Sequence, residues 1–144
     1  MEREVKFSLV FRDMWQSAGK YVPRGDQLVK VAPAIIEMGC FARVETNGGG
    51  FEQVNLLFGE NPNKAVREWT KPFHEAGIQT HMLDRALNGL RMSPVPADVR
   101  KLFYKVKKVQ GTDITRTFCG LNDVRNIIPS IGYAHEAGMI SQCA

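Results

Sequence analysis

The chain lacks the features of secreted, membrane and disulfide-rich proteins. Residues 2–6 are mostly charged and contain no apolar segment of the kind found in signal peptides. Pro33 and nearby charges interrupt the best apolar stretch, so no run is long enough to cross a bilayer. Cys40, Cys119 and Cys143 are odd in number and have no metal-like spacing, which indicates reduced thiols. These absences predict a cytoplasmic protein without direct membrane insertion.

Positive and negative charges nearly balance, and the formal net charge is only +4. Much of it falls in one segment, at Arg100, Lys101, Lys105, Lys107 and Lys108. Apolar residues recur between these charges at helical spacing, at Val99, Leu102, Phe103, Val106 and Val109. The pattern predicts an amphipathic helix with a buried apolar stripe and solvated basic residues. Phe103 belongs to the apolar stripe and Tyr104 is the single other aromatic of the segment, which argues against a nucleic-acid partner.

No Gly-x-Gly-x-x-Gly follows the first apolar run, although an open nucleotide-binding sheet normally carries one there. What recurs instead is an amphipathic segment, a glycine and a short apolar run. The junction glycines are Gly39, Gly77, Gly111 and Gly138. Each suits the left-handed residue that ends a helix before a strand, and their separations match one βα unit. The chain of 144 residues is one domain, well short of the roughly 250 residues of a closed βα barrel.

The repeated units predict strands over 5–11, 41–44, 78–83 and 113–118, with a fifth beginning at Met139. Helices fill the gaps, and Pro72 should kink or end the second of them. Pro129 should lie in the first turn of the last helix. Alternating strands and helices predict a parallel sheet with right-handed crossovers. The alternation by itself does not distinguish an open doubly wound sheet from a barrel, and we expect the sequential strand order of a barrel. Gly48 to Gly50, after the second strand, is either a weak phosphate-binding signal or a flexible turn.

Polar residues follow the first apolar run directly. They are Arg12 and Asp13, with Gln16 three residues further on. Such groups at the end of a strand usually face a ligand, although Asp13 alone could also be a helix cap beside a surface arginine. The segment resembles the first strand and loop of the carboxyltransferase domain of biotin-dependent carboxylases and decarboxylases. The resemblance implies that Asp13 binds a divalent metal and that Arg12 and Gln16 orient the reactants as catalytic residues.

Two further segments resemble the same family in the family's order. Residues 45–52 resemble its Glu, double glycine and Phe-Asp, with Glu52 at the Asp position. Residues 82–88 resemble its Met-Leu-Leu-Arg-Gly-Gln-Asn, in which the arginine binds the carboxylate of pyruvate. The resemblance therefore implies that Arg85 and Glu52 bind substrate.

The longest match is residues 116–126, which resemble the family's Arg-x-Phe-Asp-x-Leu-Asn-Asp-Val-Arg-Asn. It implies that Arg116 braces the substrate pocket. Cys119 replaces the usual Asp, so the hydrogen-bond network around Arg116 should differ from that of the family. A catalytic Cys119 has little support without a histidine partner in view.

The resemblance covers nearly the whole chain and implies the N-terminal half of a TIM barrel, with about four βα units and the start of strand five. The implied reaction moves CO2 between carboxybiotin and pyruvate or oxaloacetate through a metal-stabilised enolate. The implied cofactors are a divalent metal (zinc, manganese, cobalt or magnesium) and biotin on another domain or subunit. The implied partners are a biotin carboxyl carrier and further copies of the chain in a homo-oligomer.

Several parts of the family's metal site have no counterpart here. The family uses a carbamylated lysine on strand five and a His-x-His on strand seven, whereas His74, His81 and His135 lack ligand spacing. One carboxylate cannot hold a cation that takes about six ligands. We therefore expect the isolated chain to be inactive and to bind metal weakly, as expected of a truncated chain, a partial reading frame or a split gene.

Two alternatives remain open at this point. The strand-one Arg-Asp and the Glu of strand two also occur in metal-dependent aldolase-type barrels, such as isopropylmalate or homocitrate synthase relatives. The chain could also be a non-catalytic half-barrel that works only with partner chains. Residues 121–126 favour the carboxyltransferases.

Overall fold

The computed structural model describes residues 4–18 and 21–144. Its strands form one sheet and are β1 Phe7–Leu9, β2 Phe41–Gly48, β3 Gln79–Arg85, β4 Ile114–Phe118 and β5 Ile140–Cys143. The order is β1-β2-β3-β4-β5, and every neighbouring pair is parallel. The predicted α/β fold with a sequential parallel sheet is therefore confirmed.

Helices fill the connections between strands. They are α1 Phe11–Gln16, α2 Gly25–Val29, α3 Ala32–Glu37, α4 Gly49–Leu57, α5 Pro62–Glu75, α6 Ala97–Val109 and α7 Val124–Glu136. The four junction glycines have φ angles of 66°, 72°, 95° and 75°, in chain order. Residues that have a side chain rarely adopt a positive φ angle. Glycine therefore follows the end of each of these helices, as predicted. No helix in the described ranges has the length and apolar character needed to cross a membrane.

The two faces of the sheet differ in character. Residues paired across parallel strands point the same way, so the register sorts them into two sets. The helix face carries Val44, Thr80, Met82, Asp84, Thr115 and Thr117. Val44 lies in one core cluster with Trp69 and Phe73 of α5, and Met82 lies in another with Tyr104 of α6 and Ala134 of α7. The opposite face, here called the open face, carries Ser8, Arg43, Glu45, Gln79, His81, Leu83 and Arg116.

Boundary predictions for two strands and one helix were wrong. The first strand was expected over 5–11 but covers only Phe7–Leu9, and Phe11 begins α1. The second strand continues beyond Val44 to Gly48, so Glu45 lies inside β2 and not after it. For Pro72, one of the two predicted outcomes is excluded, because α5 does not end there but continues to Glu75. A kink at Pro72 stays a prediction. Pro129 lies in the interior of α7, because the Asp123 side chain accepts a hydrogen bond from the Arg125 N–H and caps the helix earlier.

Helix α6 is oriented opposite to the prediction. Arg100 and Lys107 are buried, whereas the predicted apolar stripe is largely exposed. The reason is that the elements beneath α6 offer polar partners. Lys107 forms an ion pair with Glu52, and Arg100 donates to the Ala86 carbonyl. These charged contacts outweigh the tendency of the apolar stripe to face inward.

Candidate functional site

Helix α1 directs its polar residues toward β2 because its apolar residues are held by other helices. Phe11 and Trp15 share one side of α1, and their rings lie 5.2 Å from Trp69 and 4.5 Å from Phe51, respectively. Residues four apart lie on the same side of a helix, so Arg12 and Gln16 share the adjacent side. The sequence therefore fixes the direction of both predicted catalytic residues through aromatic packing.

Three consecutive glycines, the last residue of β2 and the first two of α4, make room for three predicted site residues. A Cβ on Gly48 would lie 2.9 Å from Arg12 Cδ, and a Cβ on Gly49 would lie 2.9 Å from Arg85 Nη1. On Gly50 it would lie only 1.9 Å from Gln16 Oε1. A side chain at any of these positions would force Arg12, Arg85 or Gln16 to move, and at Gly48 it would also lie 2.9 Å from the Leu83 carbonyl oxygen. The glycine turn therefore gathers residues from the ends of β1 and β3 around the end of β2.

Glu45 organises the arginines of the open face. Its buried carboxylate accepts a hydrogen bond from Arg12 Nε, and its Oε2 lies 3.6 Å from Arg116 Nη1. The same Oε2 lies 3.6 Å from His81 Nδ1. Glu45 lies within β2, where it holds Arg12 from beneath the glycine turn. A buried carboxylate between two arginines stabilises both guanidinium groups through charge-assisted contacts.

His81 stays neutral in the centre of this charged group. Burial, together with the neighbouring positive charges of Arg116, Arg43 and Arg12, lowers its pKa to about 3. Its Nε2 lies 3.2 Å from Ser8 Oγ. Sequence reasoning gave His81 no role beyond that of a strand residue. The available signal was the alternation of polar residues in β3, which places Gln79 and His81 on one face.

Arg85 lies at the end of β3 beside a cavity of about 410 Å³. Its Nη1 donates to the carbonyls of Leu90 and Arg91 at 3.4 and 3.2 Å, which fixes the guanidinium against the turn after β3. The cavity is lined by Arg85, Asn88, Phe118, Cys119 and Asn126, among others. A fixed cation in such a concave space suits the carboxylate of a small organic acid.

Cys119 occupies the same cavity without contacting Arg116. Asn126 Nδ2 donates to its sulfur at 3.4 Å, and this bond, with backbone N–H groups of Asp123 and Leu121, lowers the pKa of the thiol. Arg116 instead donates to Gln142 Oε1 at 3.3 Å from two nitrogens. The network around Arg116 thus involves Gln142 and Glu45.

Glu52 points away from the other predicted site residues. Its carboxylate pairs with Lys107 on α6, and burial raises its pKa although Lys107 opposes the rise. Lys107 also donates to Gln110 Oε1 at 3.0 Å. A substrate-binding Glu52 stays a prediction, while the contacts of this residue join α4 to α6.

Asp13 provides a single exposed carboxylate beside Arg12 and Gln16. Its side chain is 61% exposed, and its Oδ1 lies 3.4 Å from Arg12 Nη1 and 3.3 Å from Gln16 Nε2. Within 4–18 and 21–144, no group of three His, Cys, Asp or Glu residues could hold a metal ion. A divalent cation takes more ligands than one carboxylate supplies, so the described residues do not fit a complete metal centre.

The geometry defines a class of protein, namely a parallel βα chain whose charged site lies at the carboxyl ends of β1, β2 and β3. Such sites bind small ligands on many α/β proteins. Comparison with known proteins narrows the class to one group. No family model matches the chain.

The curated relatives are pyruvate carboxylases. The chain is 29% identical over 128 residues to a pyruvate carboxylase subunit of Methanocaldococcus jannaschii, which is 89% of this chain and 22% of the relative. It is 33% identical over 139 residues to pyruvate carboxylase of Schizosaccharomyces pombe, which is 95% of this chain and 12% of the relative. The chain thus spans about a fifth or less of the length of these proteins.

The fold matches a solved carboxyltransferase domain. The carboxyl transferase domain of Rhizobium etli pyruvate carboxylase, solved with oxamate and biotin, superposes with a TM-score of 0.89 at 23% identity. The match covers 99% of this chain and 24% of that one. The chain is therefore related in sequence to pyruvate carboxylases and in fold to their carboxyltransferase domain.

Proposed function

We propose that residues 1–144 form the N-terminal half of a TIM-barrel carboxyltransferase domain. In this proposal the domain moves CO2 between carboxybiotin and pyruvate or oxaloacetate, as a component of a carboxylase or decarboxylase. Support for the half-barrel comes from the sequential parallel sheet and from the match to part of the Rhizobium etli domain.

The observation that carries the proposal is the glycine turn that gathers Arg12, Gln16 and Arg85. Arg85, fixed at the cavity, binds the carboxylate of the keto acid through paired hydrogen bonds. Arg12, held by Glu45, and Gln16 orient the second reactant above the turn. Arg116 braces the open face through Glu45 and Gln142.

Biotin, carried on another domain or subunit, supplies the carboxyl group when it is bound. Asp13 supplies one ligand to a divalent metal, and its remaining ligands come from outside the described residues. The proposed partners are a biotin carboxyl carrier and further copies of the chain, in the cytoplasm. The edge strands of the sheet are β1 and β5, and among the described residues each pairs with one strand only. Another half-barrel can pair with their outer edges.

Binding of pyruvate tests the substrate assignment directly. Chemical-shift titration of the chain with pyruvate should detect saturable binding at the Arg85 cavity. Arg85→Lys should weaken binding by about ten- to a hundredfold, because a point charge replaces a planar fork and one charge-assisted bond of about 1.5–3 kcal/mol is lost.

Arg91→Lys is the matched control, since Arg91 lies in the same turn and is exposed. It should leave pyruvate binding unchanged. If Arg85→Lys and Arg91→Lys bind pyruvate equally well, Arg85 is not the carboxylate ligand. If the unaltered chain binds no pyruvate, the non-catalytic half-barrel is the better assignment. The chain alone should not decarboxylate oxaloacetate above the uncatalysed rate.

A further inference from the structure

Helix α6 presents an apolar stripe to the outside of the fold. The stripe consists of Val99, Leu102, Val106 and Val109, whose side chains are between 37% and 76% exposed. Their spacing of three and four residues is that of the seam between two packed helices. The α6 stripe is thus a row of apolar residues with no partner in the described part of the chain.

The contacts beneath α6 hold the stripe outward. Tyr104 donates to Asp84 Oδ2 at 2.7 Å, and Arg100 Nη1 donates to the Ala86 carbonyl at 3.0 Å. Lys107 pairs with the partly buried Glu52. Rotating the helix to bury the stripe would leave these buried polar groups without partners, which costs more than the apolar burial contributes. The exposed stripe is therefore a fixed surface of the fold.

Basic residues line one flank of the stripe. At 100° per residue, Lys101, Lys105 and Lys108 fall on the same side of it. Lys108 Nζ is bound to Asp113 at 3.1 Å, and Lys101 Nζ lies 4.0 Å from Glu136. Lys105 forms no ion pair with any described residue. Asp98 falls on the same flank, so the flank carries three lysines and one carboxylate of α6 and is positive overall.

We propose that the α6 stripe is a docking seam for a partner helix that has apolar residues at the same spacing and acidic residues facing the lysine flank. A second copy of α6 fits less well. The outward side of α6 carries three lysines and only Asp98 as a carboxylate, so a symmetric pairing offers little opposite charge. Charge complementarity therefore selects an acidic amphipathic helix.

Two synthetic helical peptides test the proposal with the 144-residue chain. Each is about three heptads long with leucine at the seam positions, and they differ only in glutamate or lysine on the flank that faces α6. Fluorescence anisotropy at low salt should show the glutamate peptide binding at least about tenfold tighter than the lysine peptide. High salt should reduce this difference, because the charges lie at the exposed edge of the seam.

Variants of the chain locate the binding surface. Leu102→Glu and Val109→Glu should each abolish binding of the glutamate peptide, and Lys105→Glu should reverse the preference between the peptides. Leu57→Glu on α4, whose side chain is 82% exposed, is the matched control and should bind as the unaltered chain does. Far-ultraviolet circular dichroism confirms that each variant is folded.

Three results would overturn the proposal. They are equal binding of the two peptides, binding that survives both Leu102→Glu and Val109→Glu, and absence of binding by either peptide.

Sedimentation velocity tests whether a second copy of the chain occupies the stripe instead. A dimer of the unaltered chain that Leu102→Glu dissociates would show that a second copy occupies the stripe. A dimer that Leu102→Glu leaves intact is joined elsewhere, and the proposal then rests on the peptide results.

Discussion

The two faces of β3 each bury one ionisable group, and the partners of the two groups differ. On the helix face, Asp84 accepts hydrogen bonds from the neutral hydroxyls of Tyr104, Thr115 and Thr117. Burial raises its pKa to about 6, although these hydroxyls oppose the rise. On the open face, three residues earlier, burial and nearby arginines lower the pKa of His81 to about 3. Burial disfavours the charged form of both groups, and His81 differs in lying beside the charged side chains of Arg12, Arg116 and Glu45.

The difference shows where the fold maintains charge. The helix face is a core that tolerates one carboxyl group because hydroxyls surround it. The open face combines Arg12, Arg116 and Glu45, so its stability depends on ion pairing. The open face thus carries a group of charged residues within the sheet itself, whereas Arg100 and Lys107 on the helix side belong to α6.

The largest expected effect comes from removing the carboxylate of the open face. Glu45→Ala leaves Arg12 and Arg116 without their shared partner, and should lower the free energy of unfolding by about 3–5 kcal/mol. Urea denaturation measures the change. Glu68→Ala is the control, because Glu68 forms an exposed ion pair with Lys64 at 3.7 Å and should cost at most about 0.5 kcal/mol. A cost below about 1 kcal/mol for Glu45→Ala contradicts the comparison.

A smaller effect is expected from His81, which should make the free energy of unfolding depend on pH. The folded chain keeps His81 neutral, whereas the unfolded chain protonates it below about pH 6.5. The stability that His81 contributes is therefore present above pH 6.5 and is lost as the pH falls toward about 3. Relative to His81→Gln, the chain should lose up to about 1.4 kcal/mol per pH unit in this window. Urea denaturation at several pH values measures it, and parallel curves would contradict it.

Asp84 should show the opposite dependence on pH. Its raised pKa means that the folded chain takes up a proton near pH 6, before the unfolded chain does. This contribution to stability is present below the ordinary pKa and is lost as the pH rises through about 6. Asp84→Asn should remove the dependence and cost about 1 kcal/mol at low pH, since the amide keeps most hydrogen bonds. If Asp84→Asn and His81→Gln shift the pH curve in the same direction, the two faces do not differ as described.

The smallest effect should come from Asp13, the exposed acid of the site. Asp13→Ala should change the free energy of unfolding by no more than about 0.5 kcal/mol, because the carboxylate is largely solvated. Calorimetric titration with zinc or manganese should show weak binding that Asp13→Ala removes. Tight stoichiometric binding by the chain alone would mean that further ligands exist among its residues.

Local patterns predicted the sheet because each βα unit carries its own signals. The junction glycines ended their helices as expected, and the sequential strand order expected of a barrel was confirmed, although alternation alone does not exclude the order of a doubly wound sheet. Arg12, Gln16 and Arg85 could be selected by motif, since polar residues at strand ends are visible in the sequence. The boundary at Val44 was wrong because the glycine turn, and not the polar residues, ends β2.

The orientation of α6 could not be predicted from its own residues. Its periodicity identified two faces correctly, but not which one is buried. That choice depends on Glu52 and Asp84, which are distant in sequence and lie beneath the helix. The ion pair between Glu52 and Lys107 was likewise not visible in the sequence, because the two residues are 55 positions apart, and substrate binding by Glu52 stays a prediction.

The sequence by itself determined the elements of this protein, their parallel order and the resemblance to the carboxyltransferases, because turn glycines, periodicity and strand-end motifs act within a few residues. Only the tertiary structure decided which charges are paired. Glu45 on β2 pairs with Arg12 of α1 and lies near Arg116 of β4, and Gly50 leaves room for the Gln16 side chain of α1. The physical reason is that burial and pairing set the energy of a charge, and both depend on residues brought together by the fold.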